Sequence, residues 1–427
     1  MEGNTVQMIV SASIFVVAYA LIIWDKFDKS VVALAGAALM IFTRILSQDE
    51  AIPHIDWNTL GLLVGMMTIV MTIKRSGLFE YIAIRIVKTA KGHPIIVLAL
   101  LSVITGILSA FLDNVTTILL MLPIILSVAK DLHLNPIPFI ITSVFASNVG
   151  GTATLIGDPP NIIIASASGL DFVDFLRVDG VIILPILLLI TWIFVMMYRK
   201  KLKVSSRAAE AIALLDEKTA IKDKPLLIKS LIILGVVVTG FILEGVIHYH
   251  LATIALAGAA VLLIISGIKP DKVLKEVEWD SILFFIGLFV MVGALNESGV
   301  IGLLAKGILG MTGGNVVAAT LSILWISAIA ASFFGNIPFV VTMVPLIAEM
   351  GKMSAMDITP LWWALSLGAC LGGNGTMIGA GANVIASAIA EDHGHKITFG
   401  KYFKTAFPVM LVTVAVSTVY LYLMFLV

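Results

Sequence analysis

Residues 111–117 read FLDNVTT and residues 148–161 read NVGGTATLIGDPPN, joined by a predominantly apolar passage. Both motifs recur with substitutions as FFGN at 333–336 and GGNGTMIGAGAN at 372–383. Adding 222 to a number in the first half carries Asn114 to Asn336, Pro123 to Pro345, Thr154 to Thr376 and Asn161 to Asn383. The same ungapped shift carries Trp57 to Trp279, Ser76-Gly77 to Ser298-Gly299, and the run ALAGAA from 33–38 to 255–260. One register held from residue 31 to 161 marks a duplication. Polar, glycine-rich sequence sits at matching places inside both hydrophobic halves.

Composition names the solvent. Of 427 residues, 59% are hydrophobic and 13% charged, and the mean hydropathy is +1.08. Soluble chains carry about 25% charged residues, so half that proportion points to a lipid bilayer as partner. Zero formal net charge gives no case for nucleic acid. The single cysteine, Cys370, excludes an intramolecular disulfide or a thiolate cluster. His248-x-His250 and His393-x-His395 read as loop histidines, so no metal site and no cofactor is expected. The opening MEGNTVQ lacks the basic n-region of a signal peptide, and residues 7–24 read as a retained span.

Apolar segments run over 7–24, 30–46, 57–73, 94–112, 114–130, 138–165 and 180–198. A second series covers 228–247, 252–267, 279–295, 316–334, 337–350, 360–390 and 405–427. The expected domains are a first inverted repeat (1–198), a cytoplasmic connector (199–227) with a short surface helix over 206–217, and a second inverted repeat (228–427). Segments four and five of each half meet at FLDN or FFGN with no room for an outside turn. Each pair reads as a re-entrant helical hairpin, with two full spans as the alternative. Segment six should break at Gly150-Gly151 and Gly157–Pro160, and non-helical backbone in a membrane survives only where protein or a water-filled cavity satisfies it. The expected fold is an all-α polytopic membrane protein of two inverted-topology repeats, each with about five transmembrane helices and one hairpin, with broken helices at the midplane.

Five crossings per half would turn the second half upside down. With the N-terminus outside, 23 of the 27 Lys and Arg fall in cytoplasmic loops and only Arg44, Arg177, Lys306 and Lys352 outside, as the positive-inside rule asks. Both termini are therefore expected outside an inner (plasma) membrane.

Inverted repeats with interrupted helices in matching places point to a secondary transporter whose site lies near the midplane. The substrate-binding candidates are Asn114, Thr116 and Thr117 at one tip and Asn336 at the other, with Thr152, Thr154, Asn161, Asn374, Thr376 and Asn383 at the breaks. Gly150, Gly151, Gly157, Gly372, Gly373 and Gly379 supply the break backbone. Asn and Thr could instead glue helices together; two symmetric clusters favour a site. Asp113 and Asp158 align with Gly335 and Ala380, so only the first half has carboxylates at this depth. A charge at the bilayer centre costs roughly 2.5–3.5 kcal/mol on insertion scales, which suggests a proton or sodium site, Asp113 first. Helix capping is the alternative for each. Cys370, just before the second break, reads as a small buried apolar residue, with a thiol meeting a thiophilic solute as the alternative.

At these residues the chain resembles the ion transporter superfamily, in the branch of the arsenical pump membrane protein, NhaD-type sodium/proton antiporters and the melanosomal P protein. FLDNVTT with GGTATLIGDPPN, and GGNGTMIGAGANVIASAIAEDHG, carry the likeness, which spans nearly the whole chain. It implies inverted repeats, re-entrant hairpins, alternating access, and substrates from arsenite and antimonite to Na⁺/H⁺ and carboxylates. The expected function is arsenite or antimonite efflux coupled to proton antiport. A Na⁺/H⁺ antiporter is the alternative, and Na⁺-coupled carboxylate or other anion transport a weaker one for want of cationic side chains. No nucleophile–base pair or metal-ligand set supports an enzyme, and no GxxxxGK[ST] loop provides ATP binding. A partner ATPase and a homodimer are compatible with the sequence.

Overall fold

The structure, a computed structural model, describes residues 2–24, 26–202, 220–354 and 356–427. The helix expected over 206–217 lies outside the described residues. Among those described, every regular element is a helix.

The first ten are α1 (Glu2–Trp24), α2 (Lys29–Phe42), α3 (Gln48–His54), α4 (Trp57–Lys74), α5 (Leu78–Thr89), α6 (Pro94–Ser109), α7 (Asn114–Asp131), α8 (Ile137–Thr152), α9 (Pro159–Ser168) and α10 (Phe172–Tyr198). Apart from the short helical turns Glu244–Ile247 and Tyr422–Leu426, ten more follow: α11 (Lys224–Ile242), α12 (Leu251–Ser266), α13 (Pro270–Leu274), α14 (Trp279–Glu297), α15 (Val300–Thr312), α16 (Val316–Phe334), α17 (Asn336–Met353), α18 (Thr359–Gly372), α19 (Gly381–Asp392) and α20 (Phe399–Leu421). Helix n of the first set matches helix n+10 of the second. In nine of the ten pairs the starts lie 222 residues apart to the residue, as with Asn114 and Asn336 or Pro159 and Gly381.

Local signals explain many of these starts. Asp28, Asp56 and Asp223 cap α2, α4 and α11 by accepting backbone N–H bonds, and Asp171 with Asp174 closes a capping box on α10. Pro94 and Pro159 sit at first-turn positions, where a missing N–H costs nothing. Residues 78–89, outside every apolar segment of the sequence, form α5: Phe79, Ala83, Ile86 and Val87 bury one face. That segment is too short and charged for a span, yet its apolar residues recur at helical spacing.

The outside is as apolar as the inside. Along α10, Ile182, Ile186, Ile190 and Phe194 are buried while Val181, Leu184, Leu188 and Trp192 face outward. A helix apolar all round, with half its surface turned out, is at equilibrium in lipid. Among the described residues, eight helices are long and apolar enough to cross a membrane, and the chain is a multi-pass membrane protein.

Two seams join the halves. α2 packs on α14 and α4 on α12, each the other's counterpart. Glycine lets these backbones touch. A Cβ on Gly287 would lie 2.4 Å from the Ala33 carbonyl carbon, and one on Gly65 would lie 2.7 Å from that of Ala255. Contacts Ala33–Gly287 and Gly36–Met291 run in step, so α2 and α14 are parallel; Gly61–Ala252 and Gly65–Ala255 show the same for α4 and α12. By contrast α4 opposes α14. Arg75, just past the end of α4, pairs with Glu276 ahead of α14, while His54, ahead of α4, lies 3.6 Å from Glu297 at the end of α14. Hence α12 points the opposite way from α2, its partner in sequence. The remaining helices surround the breaks: α6 packs on α8 and α16 on α18, while α9 crosses to α17 and α19 to α7.

Gly65→Val should force the α4–α12 seam apart, costing about 1–3 kcal/mol by overpacking and lowering the melting temperature in detergent. Gly307→Ala on α15, where an added Cβ meets nothing within 4 Å, should be neutral or stabilise by up to ~1 kcal/mol.

Candidate functional site

Each break leaves helix-end carbonyls inside the protein, where no partner comes from the helix itself. One asparagine spans each gap. Asn161 Nδ2 donates to the Thr152 and Thr154 carbonyls at 3.2 and 3.0 Å, and Asn383 Nδ2 to those of Gly373 and Thr376, both at 2.8 Å. The hydroxyls of Thr154 and Thr376 donate to the Ala110 and Ser332 carbonyls, tying each break to the turn of its own hairpin. Glycine is required by close approach: a Cβ on Gly151 would lie 2.5 Å from the Gly157 oxygen, and one on Gly379 would lie 2.5 Å from the Gly373 oxygen. Gly150 and Gly372 sit as tightly against Gly106 and Ala328.

Between the two tips lies Asp158. Asn114 Nδ2 donates to its Oδ1 at 3.1 Å, and Asn336 Nδ2 reaches both carboxylate oxygens at 3.3 Å. A second junction is built on Asn148, which accepts from Asn114 Nδ2 at 3.0 Å. Its own Nδ2 donates to Asn374 at 3.0 Å and to Asn383 at 2.8 Å. Every one of these residues is buried.

The two aspartates differ in what holds them. Asp113 Oδ1 accepts the Thr116 N–H at 2.8 Å and caps α7. Its counterpart Gly335 has φ +86°, a conformation that favours glycine, and there the Asn336 N–H goes to the Gly379 carbonyl instead. The backbone therefore accounts for the Asp/Gly difference at the tips. At the breaks it does not. Asp158 (φ −142°, ψ 129°) and Ala380 (φ −144°, ψ 151°) share one conformation, and Asp158 makes no side-chain cap bond. The turn forms equally well around alanine, so its shape does not call for this carboxylate.

Thus Asn114, Asn336 and Asp158 meet at one point, and Asn374 and Asn383 at another through Asn148. Thr152 returns its hydroxyl to the Asn148 carbonyl within its own helix. The hydroxyls of Thr116 and Thr117 and the Nδ2 of Asn374 are buried without a partner. Sequence reasoning passed over Asn148, Ser366 and Asp179. Ser366 Oγ lies 2.6 Å from Asn161 Oδ1 and 2.5 Å from Asp179 Oδ2, and the Cys370 thiol lies 3.4 Å from the same Asn161 oxygen.

A cavity of ≈ 350 Å³ opens near Asp28 and Asp280 and reaches Asn336 and Ala380, the tip and the break of the second half. On the opposite end a cavity of ≈ 370 Å³ opens between His54, Trp57 and Asn296 and reaches none of the candidate residues. Burial, with Asp113 nearby, pushes Glu278 up to about 8. This carboxyl just ahead of α14 keeps one buried oxygen unpartnered.

Residues 19–368 match the sequence model of a family described as citrate transporter, CitMHS. An uncharacterized transporter of Mycobacterium bovis is 42% identical over 427 residues, covering 98% of this chain and 99% of its own. The P protein of Mus musculus is 32% identical over 513 residues, covering 98% of this chain and 61% of its own. Among solved structures, the YdaH transporter of Alcanivorax borkumensis matches with a TM-score of 0.57 at 15% identity, over 95% of this chain and 97% of that one. At that identity the likeness speaks for the fold.

Asn148→Ala would leave the oxygens of Asn374 and Asn383 without their donor. It should cost about 1–3 kcal/mol, read as a lower melting temperature. Ser143→Ala removes a buried hydroxyl that has no partner and should cost less than Asn148→Ala in the same assay.

Proposed function

The chain belongs to the citrate transporter family and is a secondary transporter; from that premise we propose that Asp158 is its coupling-cation site, taking H⁺ or Na⁺ between the two hairpin tips. The carrying observation is that a buried carboxylate the backbone does not need accepts bonds from Asn114 and Asn336 at once. A carboxylate held by two amides, with no lysine or arginine bonded to it among the described residues, gains from a bound cation, because burial without one is expensive. Its charge state then decides how firmly the tips of the two halves are tied together.

The opposed directions of α2 and α12, and the exchange of α9 and α19 onto the other half's hairpin, support reading residues 1–198 and 228–427 as inverted repeats. On that reading α6–α7 and α16–α17 are re-entrant hairpins whose tips meet near the midplane. Lys and Arg placement puts the cavity at Asp28 on the cytoplasmic side of a plasma membrane, with both termini outside. This conformer is then open inward.

The solute is read from spare donors. Asn374 Nδ2 and the Thr116 and Thr117 hydroxyls have no partner, and suit a small, uncharged, hydroxylated solute. Arsenite and antimonite, as trihydroxides, fit that description, and their efflux in exchange for protons is the first reading. The second is Na⁺/H⁺ exchange, favoured by Asp158 itself, since competition of two cations for one carboxylate needs no further solute. A polycarboxylate such as citrate would have to bring cations with it to lie beside Asp158.

Reconstituted into liposomes, the protein should move arsenite against a proton gradient, and Asp158→Asn should reduce the flux to background. Asp113→Asn should keep it, because asparagine caps a helix as well as aspartate does. Sodium-dependent proton movement without arsenite flux would select the second reading; fluxes unchanged in Asp158→Asn would overturn the cation site.

A further inference from the structure

Asp179, on α10, is fully buried and bonds to neither Asn114 nor Asn336, though the Cys370 thiol faces both Asp179 and Asp158. Its Oδ2 lies 2.5 Å from Ser366 Oγ, and its Oδ1 has no partner. The titratable groups facing it are the Cys370 thiol on α18 and the Tyr420 phenol on α20. No lysine, arginine or histidine is paired with it among the described residues.

Proton counting defines the state of this cluster. Ser366 Oγ carries one hydrogen but lies within bonding distance of two oxygens, Asn161 Oδ1 at 2.6 Å and Asp179 Oδ2 at 2.5 Å. Asn161 cannot supply the second hydrogen. Its Nδ2 is committed to the Thr152 and Thr154 carbonyls, so the atom facing Ser366 is its carbonyl oxygen. Two short oxygen–oxygen contacts need two hydrogens. The second belongs on Asp179, which donates to Ser366 while Ser366 donates to Asn161.

We propose that Asp179 is a second proton-binding site, whose proton decides through Ser366 whether Asn161 keeps its hydroxyl donor. When the proton leaves Asp179, the carboxylate becomes an acceptor and the single Ser366 hydrogen turns to it. Asn161 Oδ1 then retains only the Cys370 S–H, a weak donor. The one covalent bond broken is the Asp179 O–H, whose electron pair stays on the carboxylate while the H⁺ leaves the cluster. Asn161 is the residue that spans the first break, so the protonation of α10 is felt at that turn. Among the described residues of the second half, no hydroxyl–carboxyl pair is bonded to Asn383. There Asn383 Oδ1 accepts from the Asn148 amide, and the position matching Ser366 is Val144.

The inference does not depend on the solute; because the Cys370 thiol also faces Asp158, every spectrum is taken in an Asp158→Asn background, where the sole cysteine reads Asp179 alone. Infrared difference spectra of the lipid-reconstituted protein across a pH titration should show the carbonyl band of a protonated carboxylic acid that is missing in Asp179→Asn. As that band is lost at high pH, the one S–H band, which belongs to Cys370, should shift to lower frequency in step. Asp179→Asn keeps an N–H donor for Ser366, and its S–H band should stay put at every pH. Ser366→Ala should move the acid band while cutting the link, leaving the S–H band unresponsive. An Asp179→Asn spectrum that keeps every acid carbonyl band, or an S–H band that does not move while the Asp179 acid band titrates, would overturn the proposal.

Discussion

An interrupted helix in an apolar protein leaves carbonyl groups with no water to turn to, and each costs several kcal/mol if abandoned there. In this chain one side-chain amide closes each gap. Asn161 and Asn383 bind two carbonyls apiece, and the hydroxyls of Thr154 and Thr376 fasten the breaks to the hairpin turns. The glycines permit the turn, whereas the asparagines make it tolerable. With the backbone satisfied this way, the remaining polar atoms of the centre are free to face one another across the two halves.

The halves meet the same structural requirement with different chemistry. Their backbones agree at Asp158 and Ala380 and diverge at Asp113 and Gly335. A duplicated chain thus carries its own control experiment. Where the backbone matches and the residues differ, as at Asp158, the extra group is not needed to form the turn. Where the backbone differs, as at Asp113, the residue follows the conformation.

Duplication made the fold legible from sequence. The 222-residue register located the breaks, the tips and the paired helices because those features recur, and recurrence filters out the noise of a uniformly apolar chain. That filter also explains what escaped. Asn148 faces Cys370 in the alignment and Ser366 faces Val144, while Asp179 lies beyond the shared register, so none stands out as a repeated polar position. Asp179 also adjoins the residue where hydropathy places the start of its span, in a stretch whose other charges, Asp171, Asp174 and Arg177, belong to a helix end. The short helices α3 and α5 were hidden for another reason: each is too brief and too charged to register as a membrane segment. Only the packing shows Asp158 between both tips, since its neighbours lie 44 and 178 positions away.

The glycine seams bear on how the protein is made. Ala33 touches Gly287 and Gly65 touches Ala255, so neither frame helix of the first half meets its closest neighbour until the second half has been synthesised. At typical elongation rates of about 5–20 residues per second, the roughly 250 residues between Ala33 and Gly287 take on the order of ten to fifty seconds to translate. Throughout that interval α2 sits in the bilayer with a bare glycine-containing stripe turned to lipid. Assembly therefore waits on the ribosome.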